Sequence, residues 1–389
     1  MNDAELAAAA VDGWRCAQLA AAMVRCDTRN PPGDETSILP LLSDTLSRLG
    51  ASVEIFEAAP KRTSLLASVT GTGPPGRPTL LVNGHLDVVP VVESEWTLPP
   101  FGGVIRDGRL YGRGACDMKG GIAAAIEGLR ACLDAAVLPR CDVTFHLVAD
   151  EETGGRWGTE ALTAAGRIAA DAAVVPEPSE LQIGVAERGV LLAEITVSGR
   201  AAHGSDPGAG HSAIADAARV VEALHGADFG GPDHPLLGRP SCNVGQIDGG
   251  TAPNIVASSC VLRIDRRVLP GQACEDVVEE LEAVIRRAVP DIDYTFEVTA
   301  FAAGSELASD DPFVDLVAQA TGDRSPVRGL NLGSDARFLR NDLGIPTVVY
   351  GPGSITMAHR RDEYVLMTEL LEAAMTFARL FARFGGDHT

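Results

Sequence analysis

The chain reads as an α/β protein, a mainly parallel sheet domain interrupted by a smaller α+β insertion. Three observations predict this. The short apolar run Thr79–Asn83 (TLLVN) has the composition of a strand buried on both faces, and further apolar runs alternate with helical stretches. From about residue 187 the order becomes β-α-β-β-α-β, the pattern of ferredoxin-like units. At 389 residues the chain exceeds one ordinary core, so two domains are expected. The expected division is 1–186 for the first part of the sheet domain, 187–300 for the insertion and 301–389 for the second part.

The elements follow in order. Residues 4–26 are rich in Ala and Leu and predict a helix, interrupted only at Gly13 and stopped by Asn30-Pro31-Pro32-Gly33. Residues 36–49 predict an amphipathic helix, 52–57 and 64–70 strands, and Thr72–Pro78 a Gly/Pro loop. A helix over 119–134 and strand-like Val143–Ala149 come next, and another apolar stretch ends at Val174–Val175. Strands alternating with helices imply a mainly parallel sheet with helices on both faces, whose ligands gather at the carboxyl ends of the strands. In the insertion, Val190–Ser198, 242–247, 255–266 and Tyr294–Val298 predict strands, and 211–225 and 273–288 helices. The α/β texture returns with helix 312–321, strand 346–350 and a final helix 363–384.

Composition excludes several classes. There are 53 acidic against 32 basic residues, a net charge of −21, so nucleic acid and anionic membranes are not expected partners. The acidic start, Met1 to Leu6, followed by four alanines, lacks the basic and apolar regions of a signal peptide. No apolar stretch approaches the ~18 residues of a membrane span. The eight cysteines are scattered with no C-x-x-C pair, which fits reduced thiols in a cytoplasm. Cys116 lies inside a Gly-rich motif and reads as a small buried thiol.

Chemistry-bearing residues fall at the predicted strand ends. His85 and Asp87 follow the TLLVN strand, with alternation pointing both side chains the same way. Asp117 sits in GRGACDMKGG (112–121), Asp150-Glu151-Glu152 after Val143–Ala149, Glu177 between Pro176 and Pro178, and His359 after GPG at 351–353. Each has a plain alternative: a core histidine, a helix cap, an acidic surface turn. Together they offer two imidazoles and four or more carboxylates, a donor set suited to Zn, Co or Mn and not to haem or iron–sulfur clusters. A carboxylate shared between two ions ~3.5–4 Å apart is the usual plan of two-metal hydrolases.

With these motifs in place, the sequence resembles the co-catalytic zinc deacylases and carboxypeptidases of the M20 peptidase clan, acetylornithine deacetylase and succinyl-diaminopimelate desuccinylase being the closest types. The resemblance runs along nearly the whole chain: NPPGDE (30–35), GHLDVVP (84–90), WTLPPFGG (96–103), GRGACDMKGG (112–121), DEETGG (150–155), PEP (176–178), GRAAHG (199–204), GGTAPNIV (249–256), DRRVLPG (265–271), GSDARF (333–338) and GPGS…AH (351–359). It implies a catalytic domain of zinc-exopeptidase type with a lid and dimerisation domain inserted at 187–300. It implies that His85, Asp117 and Glu177 hold one metal and Asp117, Glu152 and His359 a second. Glu151 would be the general base and Asp87 would orient His85. His203 and Asn254, on the lid, would contact the tetrahedral intermediate. Arg267 and Arg337 would grip a substrate carboxylate, with Arg266 an alternative to Arg267. A cis peptide is implied at Asp117–Met118, as is a homodimer joined through the lids with His203 completing the partner's site. Glu rather than Asp at 177 matches the deacylase and carboxypeptidase members.

The implied function is hydrolysis of the amide of a small N-acyl amino acid by water activated at two divalent ions, zinc first, with cobalt or manganese as alternatives. A carboxypeptidase or dipeptidase of the same fold shares the metal site and stays open. A non-catalytic binding protein is disfavoured because neither Glu151 nor any ligand is missing, and a serine-nucleophile amidase because no G-x-S-x-G elbow occurs. Trp157 either lines the acyl pocket or packs. The sequence is silent on the acyl group and the amine.

Overall fold

The structure, a computed structural model, describes residues 2–322 and 325–386, so Met1 of the acidic start lies outside the described residues. The chain divides into two compact units. One comprises Met1–Val185, Leu307–Arg328 and Ser334–Thr389, the other Ala186–Glu306 with Gly329–Gly333.

The larger unit is built on a mixed sheet. Its strand order is Ser52–Ala59, Arg62–Val69, Asp142–Val148, Thr79–His85, Ala172–Val175, Thr347–Val349 and Ile183–Glu187. The centre is parallel: Thr79–His85 runs alongside both Asp142–Val148 and Ala172–Val175, which in turn runs alongside Thr347–Val349. The first two strands form an antiparallel hairpin on one flank. Central strands are buried on both faces and therefore almost wholly apolar, as at Leu80–Leu81–Val82 and Ala172–Ala173–Val174. Because the four central strands are parallel, their carboxyl ends all emerge along one edge.

Around the sheet, helices Asp3–Ala9, Gly13–Val24, Lys119–Asp134 and Met367–Arg383 pack on one another. The N-terminal helix expected over 4–26 is two helices. Asp12 is extended and its carboxylate accepts from the N–H groups of Trp14 and Arg15, so it caps a new helix beginning at Gly13. The last helix starts at Met367 rather than at 363. Tyr364–Leu366 instead pairs with Arg109–Tyr111, which pairs with Val104–Arg106 in a three-stranded sheet. Strands of three residues are too short to show a period in sequence.

The smaller unit has the order strand Gly189–Ser198, helix Ala213–Leu224, strands Ser241–Gly249 and Ser259–Val268, helix Cys274–Ala288, strand Tyr294–Ala302. The four strands form an antiparallel sheet with the 241–249 and 294–302 strands at its edges. Alternate residues Leu191, Ala193, Ile195 and Val197 face a core shared with Ala217, Val220, Leu224, Leu281 and Ile285 of the helices. All eight cysteines are free thiols. No helix among the described residues is long and apolar enough to cross a membrane.

Candidate metal centre

The parallel strand ends deliver a dense cluster of acids and imidazoles. His85 ends its strand, Glu151 and Glu152 follow Asp142–Val148, Glu177 follows Ala172–Val175, and His359 lies in the loop beyond Thr347–Val349. Asp117 arrives from the turn preceding helix Lys119–Asp134. Its two carboxylate oxygens face different histidines: Oδ1 is 3.0 Å from His85 Nε2 and Oδ2 is 3.4 Å from His359 Nε2. His85 Nε2 is also 3.6 Å from Glu177 Oε1, and His359 Nε2 is 3.1 Å from Glu152 Oε2. Potential ligand atoms of His85, Asp117 and Glu152, and of His85, Glu151 and Glu177, lie within 4.8 Å of one another in each set.

Supporting groups fix these side chains. The Asp87 carboxylate accepts from Asn30 Nδ2 (2.8 Å) and from the backbone N–H groups of Glu151 and Glu152 (both 3.2 Å). Its relation to His85 is looser. His85 Nδ1 bonds the Asp87 backbone oxygen at 2.9 Å, while the nearest Asp87 carboxylate oxygen is 3.6 Å away. Asp87 therefore organises the Glu151–Glu152 turn as much as the imidazole.

Glu363 does the same for Asp117. Fully buried and paired with Arg113, it accepts from the N–H groups of Cys116 (2.8 Å) and Asp117 (3.2 Å). The Asp117–Met118 peptide is cis. Beneath the Glu151 turn, buried Arg62 pairs with Asp150 and, at 2.7 Å, with Glu35, while Asn30 Nδ2 reaches Asp150 Oδ1 at 3.2 Å. Glu363, Arg62 and the supporting role of Asn30 were not singled out from sequence. The usable signal was Arg113 within the Gly-rich motif, since a buried guanidinium needs a carboxylate from somewhere.

The electrostatics are those of crowded like charges. Burial, then the charge of Asp117, pushes the Glu177 and Glu152 carboxyls upward. Burial likewise raises Glu151, with Asp335 and Glu152 adding to it and His85 and Arg337 opposing. Asp117 is held well below the carboxylate range, its hydrogen bonds with His359 and His85 overcoming burial. Hydrogen bonds with Asp117 and Glu152 lift His359 to about 10. Four carboxylates crowd two imidazoles here, and divalent cations would offset that repulsion without bound protons. Glu152 Oε1 is buried with no hydrogen-bond partner among the described residues. This donor set, hard oxygens with two imidazoles and one carboxylate facing both, fits a pair of divalent ions.

Not all the expected site residues lie in this unit. His203, Asn254 and Arg267 belong to the smaller one, where Gly204 N–H donates to the Asn254 carbonyl at 2.8 Å and His203 bridges to Ile255. Arg266 and Arg267 differ sharply. Arg266 is 0% exposed, bonded to Glu280 at 2.6 Å and stacked on Phe229, whereas Arg267 is partly exposed and paired with Asp265. Arg266 is thus a core residue. Arg337, in the larger unit, donates to the carbonyls of Gly154 (2.8 Å) and Ser334 (3.2 Å), with Glu151 Oε1 at 4.0 Å. The Trp157 ring lies beside the Arg156 guanidinium, and the Trp157 backbone N–H donates to the Asp150 carboxylate.

Residues 81–383 match the family described as peptidase family M20/M25/M40. The chain belongs to this family. It is 34% identical over 365 residues to the acetylornithine deacetylase of Myxococcus xanthus, an alignment covering 90% of this chain and 93% of that protein. Among solved structures, the aminopeptidase PepT of Bacillus cereus superposes with a TM-score of 0.80 at 22% identity, covering 97% of this chain and 100% of that one. The Bacillus subtilis YXEP protein, a dinuclear metal-binding M20 peptidase, superposes with a TM-score of 0.71 at 17% identity, covering 95% of this chain and 97% of that one. These structural likenesses establish the fold. Family membership makes the chain an M20 metallo-hydrolase acting on amide bonds.

Proposed function

We propose that this enzyme removes an acyl group, acetyl or succinyl in type, from the nitrogen of a small amino acid. The observation that carries the reading is Asp117 with one carboxylate oxygen toward each histidine and Glu151 beside the cluster, in a chain 34% identical to an acetylornithine deacetylase. His85, Asp117 and Glu177 would hold one ion, and Asp117, Glu152 and His359 another, with zinc the first choice and cobalt or manganese the alternatives. Bound there, two divalent ions supply Lewis acidity toward an amide carbonyl and acidify water.

The protein's own groups do the rest. Glu151 accepts the proton of the attacking water on a carboxylate oxygen and returns it to the departing nitrogen. Asp87 holds the backbone from which Glu151 and Glu152 project. His203 and Asn254 donate to the developing oxyanion, a task typically contributing ~3–4 kcal/mol per donor. Arg267 is the candidate for pairing with the substrate carboxylate. The reading includes a homodimer in which His203 serves the partner's site, and a cytoplasmic setting consistent with the unpaired thiols.

Amine release from a panel of N-acetyl, N-succinyl and N-formyl amino acids and of dipeptides, with zinc or cobalt, tests the proposal. Turnover of N-acyl amino acids is expected, lost with chelator and restored by about two ions per chain. Cleavage of dipeptides alone would replace the deacylase by a dipeptidase. Turnover after complete metal removal would refute the mechanism.

A further inference from the structure

The turn Ser334–Phe338 lies against the loop that carries Glu151 and Glu152, and no catalytic step accounts for it. Arg337 spans the two segments, one amino group on the Gly154 carbonyl and the other on the Ser334 carbonyl. Its guanidinium rests on the Phe338 ring, 4.4 Å from the centroid, and its side chain is only 12% exposed. Asp335, 1% exposed, stands behind it. Its Oδ2 accepts from Thr159 Oγ1 at 2.6 Å, and Thr159 Oγ1 accepts from Asn83 Nδ2 at 3.0 Å on the strand that ends in His85. Asp335 Oδ1 has no hydrogen-bond partner among the described residues and faces the loop backbone. A methyl placed on Gly155 (φ +74) would lie 2.9 Å from it and 2.9 Å from the Phe338 ring. The Asp335 and Phe338 side chains therefore pack directly on the Gly155 backbone, with no room for a side chain at that position.

From this we infer that Ser334–Phe338 is a clamp on the Glu151–Gly155 loop and that Arg337 is a positioning residue for Glu151, not a grip on the substrate carboxylate. Two of its N–H directions are taken by carbonyls of the protein, and its charge stands 4.0 Å from Glu151 Oε1. Through Gly154 it sets the height of the loop, and through Asp335, Thr159 and Asn83 that loop is referred to the strand bearing His85. A general base needs its oxygen fixed to fractions of an ångström, and a clamp outside the substrate pocket supplies this. The inference rests on Glu151 being the base, as proposed above.

The test uses the zinc-loaded protein and two conservative variants, Arg337→Lys and Phe338→Leu. Lysine keeps the charge but cannot bridge two carbonyls in a planar fork, and leucine removes the ring beneath the guanidinium while leaving Arg337 in place. Two readouts are taken. In the absence of substrate, amide hydrogen exchange of the peptide spanning 150–157 should be faster in both variants, with zinc content unchanged. With an N-acyl amino acid, kcat should fall, by about 100-fold for Arg337→Lys, while KM stays within about twofold. Exchange unchanged in both variants would overturn the clamp, whatever the substrate proves to be. A KM rise of tenfold or more with kcat preserved would return Arg337 to the substrate carboxylate. Wild-type protein inert toward every N-acyl amino acid would refute the function proposed above, with exchange still deciding the clamp.

Discussion

Glu151 and Glu152 are adjacent in sequence and differently placed. Glu152 lies 3.1 Å from His359, whereas Glu151 faces Arg337 and Asp335. Glu151→Gln keeps the shape but cannot accept a proton, so activity should fall about 100- to 10,000-fold with metal content intact. Glu152→Gln should instead lower zinc content per chain, read by elemental analysis. The opposite pairing of losses would mean that the roles are exchanged. Away from the site, His146 is 7% exposed on strand Asp142–Val148, and burial, helped by the charge of Arg167, lowers it to about 4. An unfolded histidine takes its proton near 6.5. Below that pH the unfolded chain binds the proton and the folded one does not, so stability held above pH 6.5 is lost as pH falls toward 4, by about 3 kcal/mol at full effect. Urea unfolding at pH 7 and pH 4.5 should therefore show a shallower loss for His146→Gln than for wild type. Equal losses in the two proteins would show that His146 is not responsible.

At the scale of elements, the Asp117 turn depends on the helix that follows it. Lys119–Asp134 lies so close to Met367–Arg383 that a methyl on Gly128 would sit 2.6 Å from Phe377 Cβ, 2.9 Å from Ala378 N and 3.0 Å from Ala374 O. Gly128→Ala gains about 1 kcal/mol of helix propensity. It also forces two backbones apart, and overpacking of this kind typically costs about 1–3 kcal/mol. Backbone atoms cannot swing aside as a side-chain tip can, so the clash should win and the variant should melt at a lower temperature. A higher melting temperature would mean that the helices separate easily. The strands obey a simpler rule. Parallel neighbours put His85, Glu151, Glu177 and His359 on one edge by strand direction alone.

For the whole molecule, the proposed homodimer makes a quantitative prediction. His203 belongs to the smaller unit and Glu151 to the larger. If His203 serves the partner's site, mixing inactive Glu151→Ala and His203→Ala proteins and letting subunits exchange restores one intact site per mixed dimer. Random pairing then yields about a quarter of wild-type activity. Background activity in verified mixed dimers would place His203 in its own chain's site, and failure to form dimers at any accessible concentration would remove the assembly altogether.

The sequence by itself determined the fold class and the buried faces of its elements, because both are written locally. An apolar run too short for a helix and ended by His85 is a buried strand with a polar tip. The alternation Leu191, Ala193, Ile195, Val197 names the core face of the smaller sheet. The same alternation, carried through Leu262, Ile264 and Val268, puts Arg266 on the buried face. The boundary at Asp12 was legible as well, since an Asp two residues before Trp14 is a cap signal. What only the tertiary structure decided were the partners. Glu363 holds Asp117 from 246 residues away, the Asp87 carboxylate turns to the Glu151–Glu152 backbone, and Arg337 is engaged by the Gly154 carbonyl. Periodicity records which face of an element is buried. It carries no record of which distant carbonyl or carboxylate a buried charge meets, because that is fixed only when the strands are laid side by side and the loops at their ends are packed together.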